Sequence, residues 1–100
     1  MFEYPISLAQ LRADLGFFDA ALPVPQTEYL EQLIRESAAK LEKLLGVPLF
    51  DSMLPDAQLI AMHAAWRYRS RVTGAPMPDM LRQEIRDRKV DLAKGEEVPL

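Results

Sequence analysis

Chemistry in this 100-residue chain would have to begin with its one histidine, His63. Metal binding needs further ligands at helical spacing, as in HExxH or ExxH. His63 is followed instead by Ala64, Ala65 and Trp66, so it reads as a satisfied core or interface residue on an apolar helical side. Ser7, Ser37, Ser52 and Ser70 have no sequence partner that would mark one of them as a nucleophile. The four glycines are isolated, and no phosphate-cradling loop can be built from them. Cysteine is absent, which excludes disulfides and thiolate metal sites. These residue types predict a protein that is not an enzyme and uses neither cofactor nor metal.

Charge is the more informative signal. The net charge is −3, which argues against nucleic acid as the principal partner. Its distribution is uneven: residues 1–66 carry 4 basic and 9 acidic side chains, whereas residues 67–89 carry 7 basic and 3 acidic ones. Residues 90–100 return to one lysine against three acids. Arg67, Arg69, Arg71, Arg82, Arg86 and Arg88 make up most of the basic segment. Arg67 and Arg71 share a helix face, as do Arg82 and Arg86, while Asp79, Glu84 and Asp87 intervene. Such a dipolar chain could pair with copies of itself or with an acidic partner, and a solvated surface is the plain alternative.

The elements that would position these groups are helices. An apolar fraction of 49% with 27% charged residues describes a globular chain long enough to form one domain. The opening segment lacks the basic start and apolar run of a signal peptide, and no stretch approaches the roughly 20 apolar residues of a membrane span. A soluble protein of the cell interior is expected. Prolines at 5, 23, 25, 48, 55, 76, 78 and 99 fall between segments or in their first turns. Gly16, Gly46, Gly74 and Gly95 stand where left-handed helix caps are wanted.

Four helices follow, at residues 8–15 with Ser7 as N-cap, 26–45, 56–72 and 79–94. The second carries the clearest stripe, through Leu30, Leu33, Ile34, Ser37, Ala38, Leu41, Leu44 and Leu45, with Glu36, Lys40 and Glu42 on its wet side. The third is alanine-rich with a wide apolar arc, so it should be central, with Trp66 and Tyr68 packed. The fourth should bury Met80, Leu81, Ile85 and Leu92. A short extended piece is possible at 47–50. The expectation is an all-α, single-domain bundle over residues 1–94 with an extended tail at 95–100.

Some apolar residues fall outside this scheme. Phe17 and Phe18, between the first two helices, are either core plugs or an exposed interface patch. Val98, Pro99 and Leu100 have too little sequence around them to fold alone, so they are either frayed or docked on another chain.

The order of these features resembles the phage head–tail connector (adaptor) family over residues 6–72. The similarity runs through Ile6-Ser7-Leu8-Ala9-Gln10-Leu11-Arg12, then Tyr29-Leu30-Glu31-Gln32-Leu33-Ile34 and Ser37-Ala38-Ala39-Lys40-Leu41-Glu42. It continues in the helix end Leu45-Gly46-Val47-Pro48-Leu49 and the alanine-rich third helix with Ala64, Trp66 and Tyr68. The stretch after Pro48 is shorter than in many members, and the C-terminal quarter carries no family motif. The resemblance implies a structural subunit of a tailed phage or prophage, located in the virion at the head–tail junction and in the host cytoplasm before assembly. It implies a ring of about twelve copies that binds the portal on one side and a tail-side stopper or tail protein on the other. DNA would pass through without sequence readout. Two other readings stay open: a small helical DNA-binding or regulatory protein using the Arg-rich fourth helix, and a bacterial helical adaptor with an unknown partner.

Overall fold

The computed structural model describes residues 2–17 and 21–96, with side chains through residue 92. It contains four helices, α1 (Pro5–Asp14), α2 (Val24–Leu45), α3 (Leu54–Arg69) and α4 (Asp79–Glu96), and no strand among the described residues. The fold is an all-α bundle in which α3 is central, packing against α1 and α2 along its length and against the start of α4. Proline sits in the first turn of α1, α2 and α3, where its missing N–H has no intrahelical acceptor anyway. Helix α2 stops at Gly46, whose φ of 74° is left-handed and whose N–H returns to the Glu42 carbonyl at 2.8 Å.

The core joins Leu30, Leu33, Ile34, Ala38 and Leu41 of α2 to Leu59, Ile60, Ala61, Ala64 and Ala65 of α3. Leu11 of α1, Leu49 of the α2–α3 loop and Leu81 and Ile85 of α4 complete it. The alanines let α3 approach α2 and α1 closely. The N-terminal lead is tied to α2 from outside: Arg35 pairs with Glu3 at 3.1 Å and lies over the Phe2 ring, 5.0 Å from its centroid.

Several boundaries and faces differ from the sequence reading. Ser7 is not an N-cap; α1 starts at Pro5, and Ser7 is a buried residue of its first turn. Its hydroxyl and N–H, with the N–H of Ile6, donate to the carboxylate of Asp51 at 2.6–2.8 Å. The cap therefore comes from 44 residues away, a source that a local pattern cannot reveal. Helix α3 ends at Arg69 and gives way to turns before Val72. Gly95 is not a cap, because α4 runs through it to Glu96. Met80 and Leu44 are exposed, whereas Trp66 and Tyr68, partly buried, pack against the core as expected. Residues 47–50 are loop, and Glu42, placed on the wet side, accepts the Leu49 N–H at 2.8 Å.

Two polar side chains meet in the core. His63, 1% exposed, holds its Nδ1 2.8 Å from the hydroxyl of Ser37, which is itself fully buried. The ring stands edge-on to Trp66, with 5.2 Å between centroids. Burial, then the nearby charges of Arg67 and Lys40, push the imidazole pKa down to about 4. The fold therefore keeps His63 neutral where an unfolded chain protonates near pH 6.5. Between these two values the unfolded state takes up a proton that the native state refuses. His63 thus contributes stability above pH 6.5 that is lost as the pH falls towards 4, roughly 3 kcal/mol in all. Urea denaturation across that range should show the loss, and His63→Gln should remove most of the slope; an unchanged slope in the variant would place the acid sensitivity elsewhere.

Candidate functional site

The α2–α3 loop converges on three carboxylates. Glu42 accepts from Leu49 N–H, Asp56 accepts from Phe50 N–H at 3.0 Å, and Asp51 caps α1. Asp56 is the third residue of α3 and is 2% exposed, a position where negative charge also favours the helix dipole. Its second oxygen pairs with the Arg88 guanidinium at 2.8 Å. This contact brings α4 to the same point that already holds α1, the end of α2 and the start of α3.

The arginines of the basic segment are thereby divided. Arg67 pairs with Glu36 at 3.3 Å, Arg69 with Asp14 at 3.2 Å, and Arg88 with Asp56. Arg69 also donates to the Asp14 backbone carbonyl at 2.8 Å. The acidic first two-thirds and the basic segment thus meet within one chain. Arg71 folds back on its own helix end, donating to the Tyr68 carbonyl and lying 3.9 Å from the Tyr68 ring centroid. Arg82 and Arg86 are exposed and form no ion pair among the described residues. They share one face of α4 with the exposed Lys89.

Phe17 is partly buried against the core and meets the Tyr68 ring edge-on at 6.3 Å. Phe18, Val98, Pro99 and Leu100 lie outside the described residues. No group of three or more acidic or histidine side chains is placed to hold a metal ion among the described residues. No helix among them is long and apolar enough to cross a membrane.

Two clefts lie along α4, one beside its middle and one beside its start. One, of about 440 Å³, opens between α1, α3 and the middle of α4, and its wall carries Asp14, Glu84, Asp87 and Asp91 beside Arg88. The other, of about 420 Å³, is lined mainly by apolar groups, among them Met62, Trp66, Pro76, Pro78 and Met80, together with the paired Arg69 and Asp14. The Trp66 indole N–H donates to the Ala75 carbonyl at 3.1 Å, fixing one wall. Met80 is 73% exposed over this groove. At the opposite end of α3 stands a second apolar surface. Phe50, Met53 and Leu54 are each more than half exposed, beside Ile6, whose N–H the loop holds through Asp51.

The groove and this loop surface were missed in the sequence. Met80 had the spacing of a core residue, and Phe50, Met53 and Leu54 lie in a turn segment with no periodicity to assign them a face. Compared with known proteins, the sequence matches no family model, no curated protein and no solved structure.

The Asp56–Arg88 pair is testable. Truncating Arg88→Met leaves a buried carboxylate with one hydrogen bond, and should cost about 3 kcal/mol. Asp56→Asn combined with Arg88→Met should cost less than the two single changes added together. Denaturant unfolding of the four proteins measures this, and strict additivity would mean the pair carries no coupling.

Proposed function

We propose that this chain is a structural subunit that assembles with copies of itself into a ring of the head–tail connector kind. The observation that carries the reading is the presence of two unlike apolar surfaces at opposite ends of α3, a helix of 16 residues and so roughly 24 Å long. A subunit that joined only one partner would need only one such surface. Two unlike surfaces suit a subunit that contacts neighbouring copies heterologously and also docks a different protein. The groove end is assigned to the neighbouring copy. The end bearing Phe50, Met53 and Leu54 is assigned to the portal or to a tail-side stopper protein. The sequence resemblance over residues 6–72 supports the same reading. The role requires no cofactor or metal, and DNA would pass the ring without sequence readout.

Native mass spectrometry of the purified chain, up to millimolar concentration and across salt, tests this. One dominant closed oligomer of about twelve copies is the expected result. A chain that stays monomeric or dimeric throughout overturns the ring.

One observation favours a second reading, a small DNA-binding or regulatory protein. Arg82, Arg86 and Lys89 form an exposed basic stripe on α4, free of ion pairs among the described residues. Neutralising about three phosphates would give a log–log salt slope near −3. Anisotropy titrations with duplex DNA should then show binding that Arg82→Glu with Arg86→Glu abolishes. Absence of binding at low salt removes this reading.

A further inference from the structure

The apolar groove at the end of α3 has a matching segment elsewhere in the chain. Residues 96–100 read Glu-Glu-Val-Pro-Leu, two acids followed by a short apolar run. We infer that Val98–Leu100 of one copy occupies the groove lined by Trp66, Pro76, Pro78 and Met80 of a second copy. The inference rests on the self-assembling reading above and supplies its contact.

Geometry selects the second copy. The groove lies at the first residues of α4, Met80 and Leu81, while the helix runs on to Glu96. From Leu81 to Glu96 is roughly 22 Å at 1.5 Å per residue. Residues 97–100 span at most about 14 Å when fully extended, so they cannot double back to their own groove. They can reach another molecule's.

Charge selects between the two clefts. The larger one presents Glu84, Asp87 and Asp91, with an Arg88 already paired to Asp56, and would repel a segment led by Glu96 and Glu97; Asp14 lines both clefts and does not discriminate. At the apolar groove, Arg69 and Asp14 stand in the lining, and Arg82 lies one residue beyond the lining residue Leu81. Arg69 already has Asp14 as partner, and Asp79 lies nearby in sequence. Arg82 forms no ion pair among the described residues and can meet the incoming acids. Pro99 limits the backbone freedom that docking has to remove. Because tail and groove sit at opposite ends of α4, the contact is heterologous: each copy gives its tail to one neighbour and takes a tail from another.

Trp66 is the only tryptophan of the chain, so its emission reports the groove directly. The receptor is the full chain carrying Val98→Asp and Leu100→Asp, whose own tail is spoiled; the probe is the synthetic peptide of residues 94–100. Saturable change in Trp66 emission is expected, weakened at least tenfold when Met80→Glu is added to the receptor. Met80 is exposed, and circular dichroism of that variant should match the parent. Sedimentation velocity supplies the second readout. Wild type should associate, the tail variant and the Met80→Glu variant should each be monomeric, and their equimolar mixture should stop at a heterodimer joined by the one intact tail and the one intact groove. Closed rings formed equally well by the tail variant would overturn this inference and leave the ring standing. Open chains of copies that the tail substitutions abolish would support the inference and overturn the closed ring. A wild type that never associates overturns both.

Discussion

Backbone N–H groups at the start of a helix and in a tight loop need acceptors, and in this protein three carboxylates around one loop supply them. Glu42 satisfies Leu49, Asp56 satisfies Phe50, and Asp51 satisfies Ile6 and Ser7. Because Asp51 caps α1 while Asp56 opens α3 and binds Arg88 of α4, every helix is referenced to residues 42–56. The hydrophobic core is non-directional and permits the helices to slide or rotate; these hydrogen bonds fix register. The arrangement has a cost. Asp56 is almost fully buried, and a buried carboxylate without its cation is far more expensive than a well-packed apolar residue. The pair is therefore better understood as a device for specifying where α4 docks than as a large source of stability.

The same logic sorts the other charges. Arg69–Asp14 and Arg35–Glu3 are exposed pairs, and solvent screening leaves such pairs little net stability. They can be exchanged for intermolecular partners at little cost. Arg88 cannot, because its partner is buried. The six arginines of the basic segment thus serve different purposes: Arg88 is structural, Arg67 and Arg69 are exchangeable, Arg71 is stacked on Tyr68, and Arg82 and Arg86 face solvent. Charge asymmetry along the sequence does not by itself imply an asymmetric surface, since folding brings much of it together.

This explains how far the sequence could be read. The helices were legible because proline and glycine end them locally, and because the stripe of α2 from Leu30 to Leu41 follows the helical period. The centrality of α3 was legible from its alanines. What failed was non-local. Ser7 resembles an N-cap, yet its hydroxyl serves Asp51; Gly95 resembles a C-cap, yet no competing structure ends α4 there. Met80 and Leu44 have core spacing but no neighbour to cover them. The partner of His63, Ser37, sat on the predicted stripe, and only the packing of α2 on α3 brings the two together. The arginines were visible, but their acids at positions 14, 36 and 56 could be assigned only in three dimensions. The groove was invisible, because it depends on how the 70–78 connection turns α4 back against α3.

Helix α4 is the least anchored element. Among the described side chains of α4, only Leu81 and Ile85 are buried, both in its first half, and Arg88 marks the limit of its polar attachment. A helix draws most of its stability from the packing of one face rather than from propensity, and α4, held over half its length, leaves the other half in need of a partner or of solvating charge. Lys89 and Asp91 of the latter half are exposed and solvate it around Val90, so the larger unfilled apolar demand falls at the opposite end, on Met80 and the groove. In the proposed ring the two deficits are complementary. There the latter half of α4 would extend one copy towards its neighbour, and the groove beside the anchored half would receive what that extension delivers. The weak docking of α4 is then useful in itself: small changes in its angle would let identical subunits close a ring without straining the three-helix body that the loop carboxylates hold fixed.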